Sequence, residues 1–118
     1  MAIELDTRAA GALRLKDKVC LVTGAGQGIG RATAKRLGQE GAKVVVADRV
    51  DATATETVTE LCDHGVEATK ALVDLGTFAG AQDLMVQARA AYGRIDALVN
   101  NVGGTIWIKP FHLYTEEK

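Results

Sequence analysis

The fold of this chain is decided by the stretch Val19-Cys-Leu-Val-Thr-Gly-Ala-Gly-Gln-Gly-Ile-Gly-Arg31. Its first four residues are apolar, which is typical of a parallel strand buried on both faces of a sheet. Glycines follow at positions 24, 26, 28 and 30, and glycine allows positive φ and a close approach of a ligand to the main chain. Where such a turn opens a helix, the free N–H groups and the positive end of the helix dipole favour a phosphate. The stretch therefore predicts a strand, a pyrophosphate-binding turn and a helix.

The spacing of the glycines narrows the kind of nucleotide site. A G-x-G-x-x-G fingerprint starting at Gly24 would need glycine where Ile29 stands, and a P-loop would need a glycine followed by lysine, which the chain lacks. The pattern present is Thr23-Gly-x-x-x-Gly28-Ile-Gly30. It resembles the TGxxxGIG motif of the short-chain dehydrogenase/reductase family. For the motif taken alone, an ordinary glycine-rich turn is the alternative interpretation.

Composition excludes several other classes of protein. The chain has 118 residues, 47% of them apolar, and a net charge of −1, which fits one small domain or part of one and offers no basic surface for nucleic acid. No apolar run is long enough for a signal peptide or a membrane span. The two cysteines and two histidines lack metal-ligand spacing. We therefore expect a soluble, cytoplasmic protein with no metal site and no nucleic-acid or membrane partner.

The rest of the chain alternates between strand and helix patterns. Strands are predicted for residues 19–22, 43–47, 66–73 and 95–99, and helices for the segment from the glycine turn to Gly41 and for residues 51–65 and 77–92. This β-α-β-α-β-α-β order predicts an α/β fold with a doubly wound parallel sheet, a Rossmann fold with strand order 3-2-1-4. Residues 1–15 show no period and are predicted to form a flexible arm.

Helical spacing also predicts which side chains pack against the sheet. One face of the helix after the glycines carries Ile29, Thr33 and Leu37. The second helix presents Val58 and Leu61. The third helix offers as candidate packing residues Phe78, Leu84, Met85, Ala88 and Tyr92.

Asp48 closes the second strand, eighteen positions after Gly30. A dinucleotide fold places an acidic residue about 20 positions on, where it accepts hydrogen bonds from ribose hydroxyls, and its charge would repel a 2′-phosphate. The neutral Gln27 agrees, because NADP-preferring members of the resembled family often carry a basic residue there. Arg49 argues against NAD, since its guanidinium could hold the 2′-phosphate of NADP. We expect NAD as the cofactor, and a solvated carboxylate is the alternative for Asp48 alone.

The resemblance implies further cofactor contacts after the third and fourth strands. In the family, an aspartate and the next backbone N–H at the position of Asp74 and Leu75 meet the adenine. The alternative for Asp74 is a cap of the loop before the next helix. Asn100-Asn-Val-Gly-Gly104 stands where the family has NNAG. The complete set of predicted cofactor-binding residues is Gly24, Gln27, Gly28, Ile29, Gly30, Asp48, Asp74, Leu75, Asn101, Val102 and Gly103.

Residues 100–111 resemble a subgroup of the family that acts on cis-diol carboxylates in benzoate degradation, and the family resemblance covers residues 16–118. It implies a small-molecule substrate, a cyclic cis-diol carboxylate, which NAD oxidises to a catechol with decarboxylation. Lys109 is a candidate for binding the substrate carboxylate and Trp107 for lining the pocket. The alternatives are a solvated lysine and a tryptophan that packs against a later helix. Another secondary alcohol as substrate, or a non-catalytic dinucleotide-binding module, are the competing functions.

The catalytic residues of the resembled family, a serine and a Tyr-x-x-x-Lys pair, are expected downstream of this chain. Tyr114 and Lys118 have that spacing, but Tyr114 directly follows the fourth-strand loop, so we assign no catalytic residue here. Residues 16–118 are thus predicted to be the NAD-binding amino-terminal part of a dehydrogenase domain, truncated before its catalytic residues and inactive alone. The full-length protein is expected to be a homo-oligomer.

Overall fold

A computed structural model describes residues 13–102 of the chain. Its strands are β1 (Val19–Thr23), β2 (Lys43–Asp48), β3 (Ala68–Leu72) and β4 (Ala97–Val99). Its helices are α1 (Gly28–Gln39), α2 (Asp51–Asp63) and α3 (Phe78–Tyr92). The strands are all parallel and lie in the order β3-β2-β1-β4. The predicted fold and strand order are confirmed. The first twelve residues of the predicted arm lie outside the described residues.

The centre of the sheet is formed by β1 and β2, the two most apolar strands. All five residues of β1 and the four central residues of β2 are buried. The third and fourth strands are shorter than predicted. Val66 is excluded from β3 because its N–H donates to the Leu61 carbonyl, 3.0 Å away, and so closes the end of α2. Both edge strands are also more exposed than the central pair, as expected where one side lacks a neighbouring strand.

Helices cover both faces of the sheet, which makes it doubly wound. On one face, Ala34 of α1 and Leu61 of α2 pack on the β1 and β2 side chains that point to that face. On the other face, Leu84 and Ala88 of α3 pack on the alternate side chains of the same strands. Strand residues point alternately to the two faces, so the apolar runs of β1 and β2 supply both cores at once.

The packing face predicted for α1 is correct in part: Leu37 packs partly buried against the core, but the most buried face lies one position further along the helix. Ile29 is 78% exposed, and the residues that α1 buries are Gly30, Ala34 and Gly38. A Cβ on Gly38 would lie 2.7 Å from a methyl carbon of Val66. This row of small residues therefore lets the helix backbone approach the sheet too closely for large side chains to fit between them.

The packing face predicted for α3 is correct in part. Leu84 and Ala88 are buried, and Tyr92 packs beside them half-buried. Phe78 and Met85 were also predicted to pack, but within the described residues they are 79% and 39% exposed. Met85 is exposed because successive side chains of a helix are rotated by roughly 100° about its axis. Met85 therefore points away from the direction set by Leu84.

We expect Leu84→Ala to lower the free energy of unfolding by about 2–5 kcal/mol, because it removes a fully buried side chain and leaves a cavity. The matched control is Val86→Ala in the same helix, where the side chain is 67% exposed. It should change stability by less than about 0.5 kcal/mol. Urea denaturation of each variant measures both values. Equal effects at the two positions would contradict the assignment of Leu84 to the core.

At the amino-terminal edge of the sheet, Asp96 joins β4 to β1. The Val19 N–H donates to Oδ2 of Asp96 over 2.8 Å, and the Asp96 N–H donates to the Val19 carbonyl over 2.9 Å. The Arg94 guanidinium binds Oδ1. The hydrogen bonds from Arg94 and then from the Val19 backbone hold the pKa of Asp96 below its usual value. Asp96 therefore ties the start of the outer strand to the centre of the sheet.

This depressed pKa predicts a particular dependence of stability on pH. The contribution of Asp96 is fully present above the unfolded-state carboxyl pKa of about 3.9 and is lost as pH falls through the lower folded-state pKa. Asp96→Asn should therefore lower stability at neutral pH and flatten the loss of stability in acid. Urea denaturation at a series of pH values tests this, with the exposed Asp63→Asn as control. A loss of stability that does not change with pH would refute the assignment.

Candidate functional site

The carboxyl-terminal edge of the sheet brings together three segments that are far apart in the sequence. Val22 of β1 pairs with Val99 of β4, and Thr23 of β1 pairs with Ala47 of β2. The glycine turn after β1 therefore lies between Asp48 on one side and the chain after β4 on the other. In open parallel sheets the crevice at this edge is where ligands bind.

The glycine turn owes its shape to two different properties of glycine. Gly24 and Gly28 have φ values of +62° and +57°, the left-handed region that disfavours a side chain. Gly30 is required for space, since a Cβ there would lie 2.7 Å from Nδ2 of Asn101 and 2.8 Å from the carbonyl carbon of Gly24. Because Gly30 has no Cβ, the first turn of α1 rests directly on the end of β1.

The amino terminus of α1 is open for an anion. Gln27 occupies the N-cap position and its side chain makes no capping hydrogen bond. The first turn of the helix contains no acidic residue. Unpaired N–H groups at a helix start, together with the positive end of its dipole, can bind phosphate oxygens. Gln27, Gly28 and Ile29 are exposed around this helix start, where a ligand can reach them.

The side chain of Thr23 connects the glycine turn to the chain after β4. Its buried hydroxyl donates to the Val99 carbonyl over 3.2 Å and accepts from the N–H groups of Asn101 and Val102 over 2.9 and 3.2 Å. The Asn101 amide also donates to the Gly24 carbonyl over 3.5 Å. Sequence reasoning treated Thr23 only as part of the motif. The available signal was a hydroxyl residue directly after an apolar strand, where free strand-end groups need partners.

Asp48 holds the other side of the turn. The Gly26 N–H donates to Oδ2 of Asp48 over 2.9 Å, and the Val50 N–H donates to Oδ1 over 3.1 Å. A carboxylate oxygen can accept more than one hydrogen bond. Both oxygens of Asp48 can therefore accept a further hydrogen bond at this partly exposed position. Arg49 is exposed beside it. Asp48 is therefore more than a solvated strand-end carboxylate, because it is bonded to the turn.

Asp74 and Leu75 lie further along the same edge, after β3. The Asp74 carboxylate accepts from the Gly76 N–H over 2.8 Å, which shapes the loop. The cap of α3 comes from Thr77, whose hydroxyl accepts from the Gly80 N–H over 3.0 Å. The Leu75 side chain packs partly against the core beneath α3.

The structure thus gathers most of the predicted site residues at one edge. The glycine turn, Asp48, Asn101 and Val102 are joined by hydrogen bonds or direct packing, whereas Asp74 stands one strand further out. Gly103, Trp107 and Lys109 lie outside the described residues, as do Tyr114 and Lys118. Within residues 13–102, no group of three potential metal ligands comes together. Over the same range, no helix has the length and apolarity needed to cross a bilayer.

A depression between α1 and α2 is lined by charges of both signs, among them Arg31, Glu60 and Asp63. Glu60 binds both Lys35 and Arg31, and Arg31 also lies 3.6 Å from Glu56. Hydrogen bonds from Lys35 and Arg31 lower the pKa of Glu60. These ion pairs join the two helices across the depression.

A parallel α/β sheet with a glycine turn after its first strand and an acidic residue at the end of its second defines a dinucleotide-binding fold. Residues 18–118 match the short chain dehydrogenase family, and the chain belongs to that family. Its members bind NAD or NADP and carry out oxidoreductase chemistry.

Two relatives are enzymes with the same name. The chain is 48% identical over 105 residues to the 1,6-dihydroxycyclohexa-2,4-diene-1-carboxylate dehydrogenase of Acinetobacter baylyi, and 44% identical over 108 residues to that of Pseudomonas putida. Both matches cover 89% of this chain, but 40% and 38% of the relatives. The chain therefore spans about two fifths of the length of these curated relatives.

Solved structures share the fold. A crystal structure of hydroxysteroid dehydrogenase from Escherichia coli superimposes with a TM-score of 0.78 at 35% identity. The match covers 89% of this chain and 44% of that one.

We expect Thr23→Val to lower the free energy of unfolding by about 1–3 kcal/mol, because valine keeps the shape but leaves the Asn101 and Val102 N–H groups without their acceptor. Thr23→Ser keeps the hydroxyl and loses one methyl group, so it should lower stability by no more than about 1 kcal/mol. Urea denaturation compares them. If serine and valine were equally destabilising, the hydroxyl would not be the group that ties β1 to β4.

Proposed function

We propose that this chain is the NAD-binding part of a dehydrogenase that oxidises a cyclic cis-diol carboxylate to a catechol with decarboxylation. The observation that carries the proposal is the Asp48 carboxylate, bonded to the Gly26 N–H at 2.9 Å and still partly exposed beside the helix start. The substrate class is supported by the two relatives named 1,6-dihydroxycyclohexa-2,4-diene-1-carboxylate dehydrogenase. Residues 16–118 would form this part of the domain, with residues 1–15 as an arm.

The choice of NAD follows from charge. Asp48 accepts hydrogen bonds, so it suits the hydroxyls of an unmodified ribose, whereas a 2′-phosphate at the same place would be repelled. Gln27 adds no positive charge that could offset this repulsion. Arg49, the next residue along the chain, would favour a phosphate, but it is exposed to solvent, where screening weakens its effect.

Each predicted cofactor residue has a role in this proposal. The open helix start at Gln27–Gly30 would bind the pyrophosphate, with Gly24 and Gly28 providing the shape of the turn. Asp48 would bind the adenosine ribose. Asp74 and the Leu75 N–H would meet the adenine, and the segment Asn101–Gly103 would meet the nicotinamide ribose. When bound, the nicotinamide accepts the hydride.

The overall reaction requires a base as well as a hydride acceptor. The hydride leaves the secondary carbinol carbon, and the proton leaves its hydroxyl. The product is a ketone β to the carboxylate, and loss of carbon dioxide then gives the aromatic catechol. We propose that a serine and a Tyr-x-x-x-Lys pair supply the base from sequence beyond residue 118. Lys109 would bind the substrate carboxylate, with Trp107 lining the pocket, in a homo-oligomeric cytoplasmic enzyme.

A second candidate is oxidation of another secondary alcohol. It is favoured by the likeness to the hydroxysteroid dehydrogenase structure from Escherichia coli, 35% identical to this chain.

The full-length protein should reduce NAD with a cis-diol carboxylate and release carbon dioxide in equal amount. Reduction of NAD with a steroid alcohol, and not with the diol acid, would favour the second candidate.

We expect Asp48→Asn to lower the preference for NAD over NADP by about tenfold to a hundredfold, because it removes the charge that repels a 2′-phosphate at almost unchanged size. Asp74→Asn is the matched control. The adenine is common to both dinucleotides, so this change should weaken both alike. Isothermal titration calorimetry with NAD and NADP measures the ratio, and an unchanged ratio in Asp48→Asn would contradict the proposed role of the charge.

A further inference from the structure

Gly26 differs from its neighbours in the turn because it does not need glycine for its backbone. Gly24 and Gly28 have positive φ, whereas Gly26 does not. A Cβ at Gly26 would lie 2.6 Å from Oγ1 of Thr53 and 2.7 Å from Oδ2 of Asp48. Real Cβ atoms essentially never come closer than 3.0 Å to another heavy atom. Position 26 is therefore glycine because two polar side chains occupy the space of a methyl group.

These two side chains come from different elements, and Val50 links them. Asp48 ends β2, and its carboxylate is anchored by the N–H groups of Gly26 and Val50. Thr53 lies in the first turn of α2, and its hydroxyl donates to the Val50 carbonyl over 3.2 Å. Val50 thus bonds to Asp48 through its N–H and to Thr53 through its carbonyl. Hydrogen bonds thus connect four residues in series, which we call the Gly26 cluster: Gly26, Asp48, Val50 and Thr53.

We infer that Gly26 and Thr53 are positioning residues that fix the Asp48 carboxylate and thereby set the preference of the site for NAD. This inference rests on the proposed function, in which Asp48 reads the ribose. Thr53 holds Val50, whose N–H binds one carboxylate oxygen of Asp48, and the missing side chain of Gly26 lets its N–H reach the other. With both in place, the two hydrogen bonds fix the orientation of the Asp48 carboxylate, which stays partly exposed.

A methyl group at position 26 lies too close to both side chains, so Asp48, Thr53 or both have to move. Moving Asp48 breaks the hydrogen bond from the Gly26 N–H, so the carboxylate leaves the place where it would contact the 2′-position of the adenosine ribose. Moving Thr53 breaks its hydrogen bond to Val50. Removing the Thr53 hydroxyl at the same time takes away the nearest atom, at 2.6 Å, so the methyl group can shift toward position 53 and the carboxylate, at 2.7 Å, has less far to move. The two positions are therefore coupled, and their effects should not add.

We expect Gly26→Ala to lower the ratio of NAD affinity to NADP affinity about tenfold, and Thr53→Ala about threefold. The double variant should show a ratio about threefold below the unmodified chain, closer to Thr53→Ala than to Gly26→Ala. Calorimetry with NAD and with NADP on the full chain gives the ratios. Thr59→Ala, an exposed threonine of the same helix, is the matched control and should leave the ratio unchanged.

The ratio separates positioning from general damage to the fold. A variant that is merely destabilised loses affinity for both dinucleotides alike, and an unchanged ratio in Gly26→Ala would overturn the inference. If Gly26→Ala does not fold by circular dichroism, Thr53→Ala decides alone, because alanine is a good helix former. If the unmodified chain prefers NADP or binds neither dinucleotide, the proposed function fails. If it prefers NAD and the variants keep its ratio, this inference alone fails.

Discussion

The close approach of α1 to the end of β1 is the constraint on which the rest of the site depends. Gly30 has no room for a Cβ because the Gly24 carbonyl and the Asn101 amide fill that space. The contact continues along the helix through Ala34 and Gly38, which are both buried. A helix that rests this closely on the sheet directs its free N–H groups into the crevice at the carboxyl edge. A larger residue in this row would lift the helix start and enlarge the crevice.

Two polar attachments keep the glycine turn in place, one on each side. On the β4 side, the Thr23 hydroxyl and the Asn101 amide bind backbone groups. On the β2 side, the Asp48 carboxylate receives the Gly26 N–H. The first attachment uses neutral groups and only fixes geometry, whereas the second places a charge in the crevice. In the proposed function, the β2 side therefore selects the dinucleotide and the β4 side gives the turn its rigidity.

The sequence was sufficient for the fold because its signals are local. A buried strand, a glycine turn and helix ends each have their own pattern, and right-handed crossovers then leave few possible strand orders. The packing of α1 was predicted only in part, for Leu37, because periodicity gives weight to large apolar residues, whereas Gly30 and Ala34 are buried because they are small. The bonds of Thr23 to Val99 and Asn101 were not foreseen, since they join residues more than 70 positions apart. The crowding of Gly26 by the Thr53 side chain was not foreseen either, because these residues come together only in the folded chain.

The central claim is that the carboxyl edge around the glycine turn binds the dinucleotide. The most direct measurement is an NMR titration of the isotope-labelled 118-residue chain with NAD, in which each backbone amide reports separately. The account predicts that the largest shifts occur at residues 24–30, 48–50, 74–75 and 101–102, while the amino-terminal edge of the sheet around Asp96 stays unchanged. Shifts concentrated in the depression between α1 and α2, or no shifts at millimolar NAD, would contradict it.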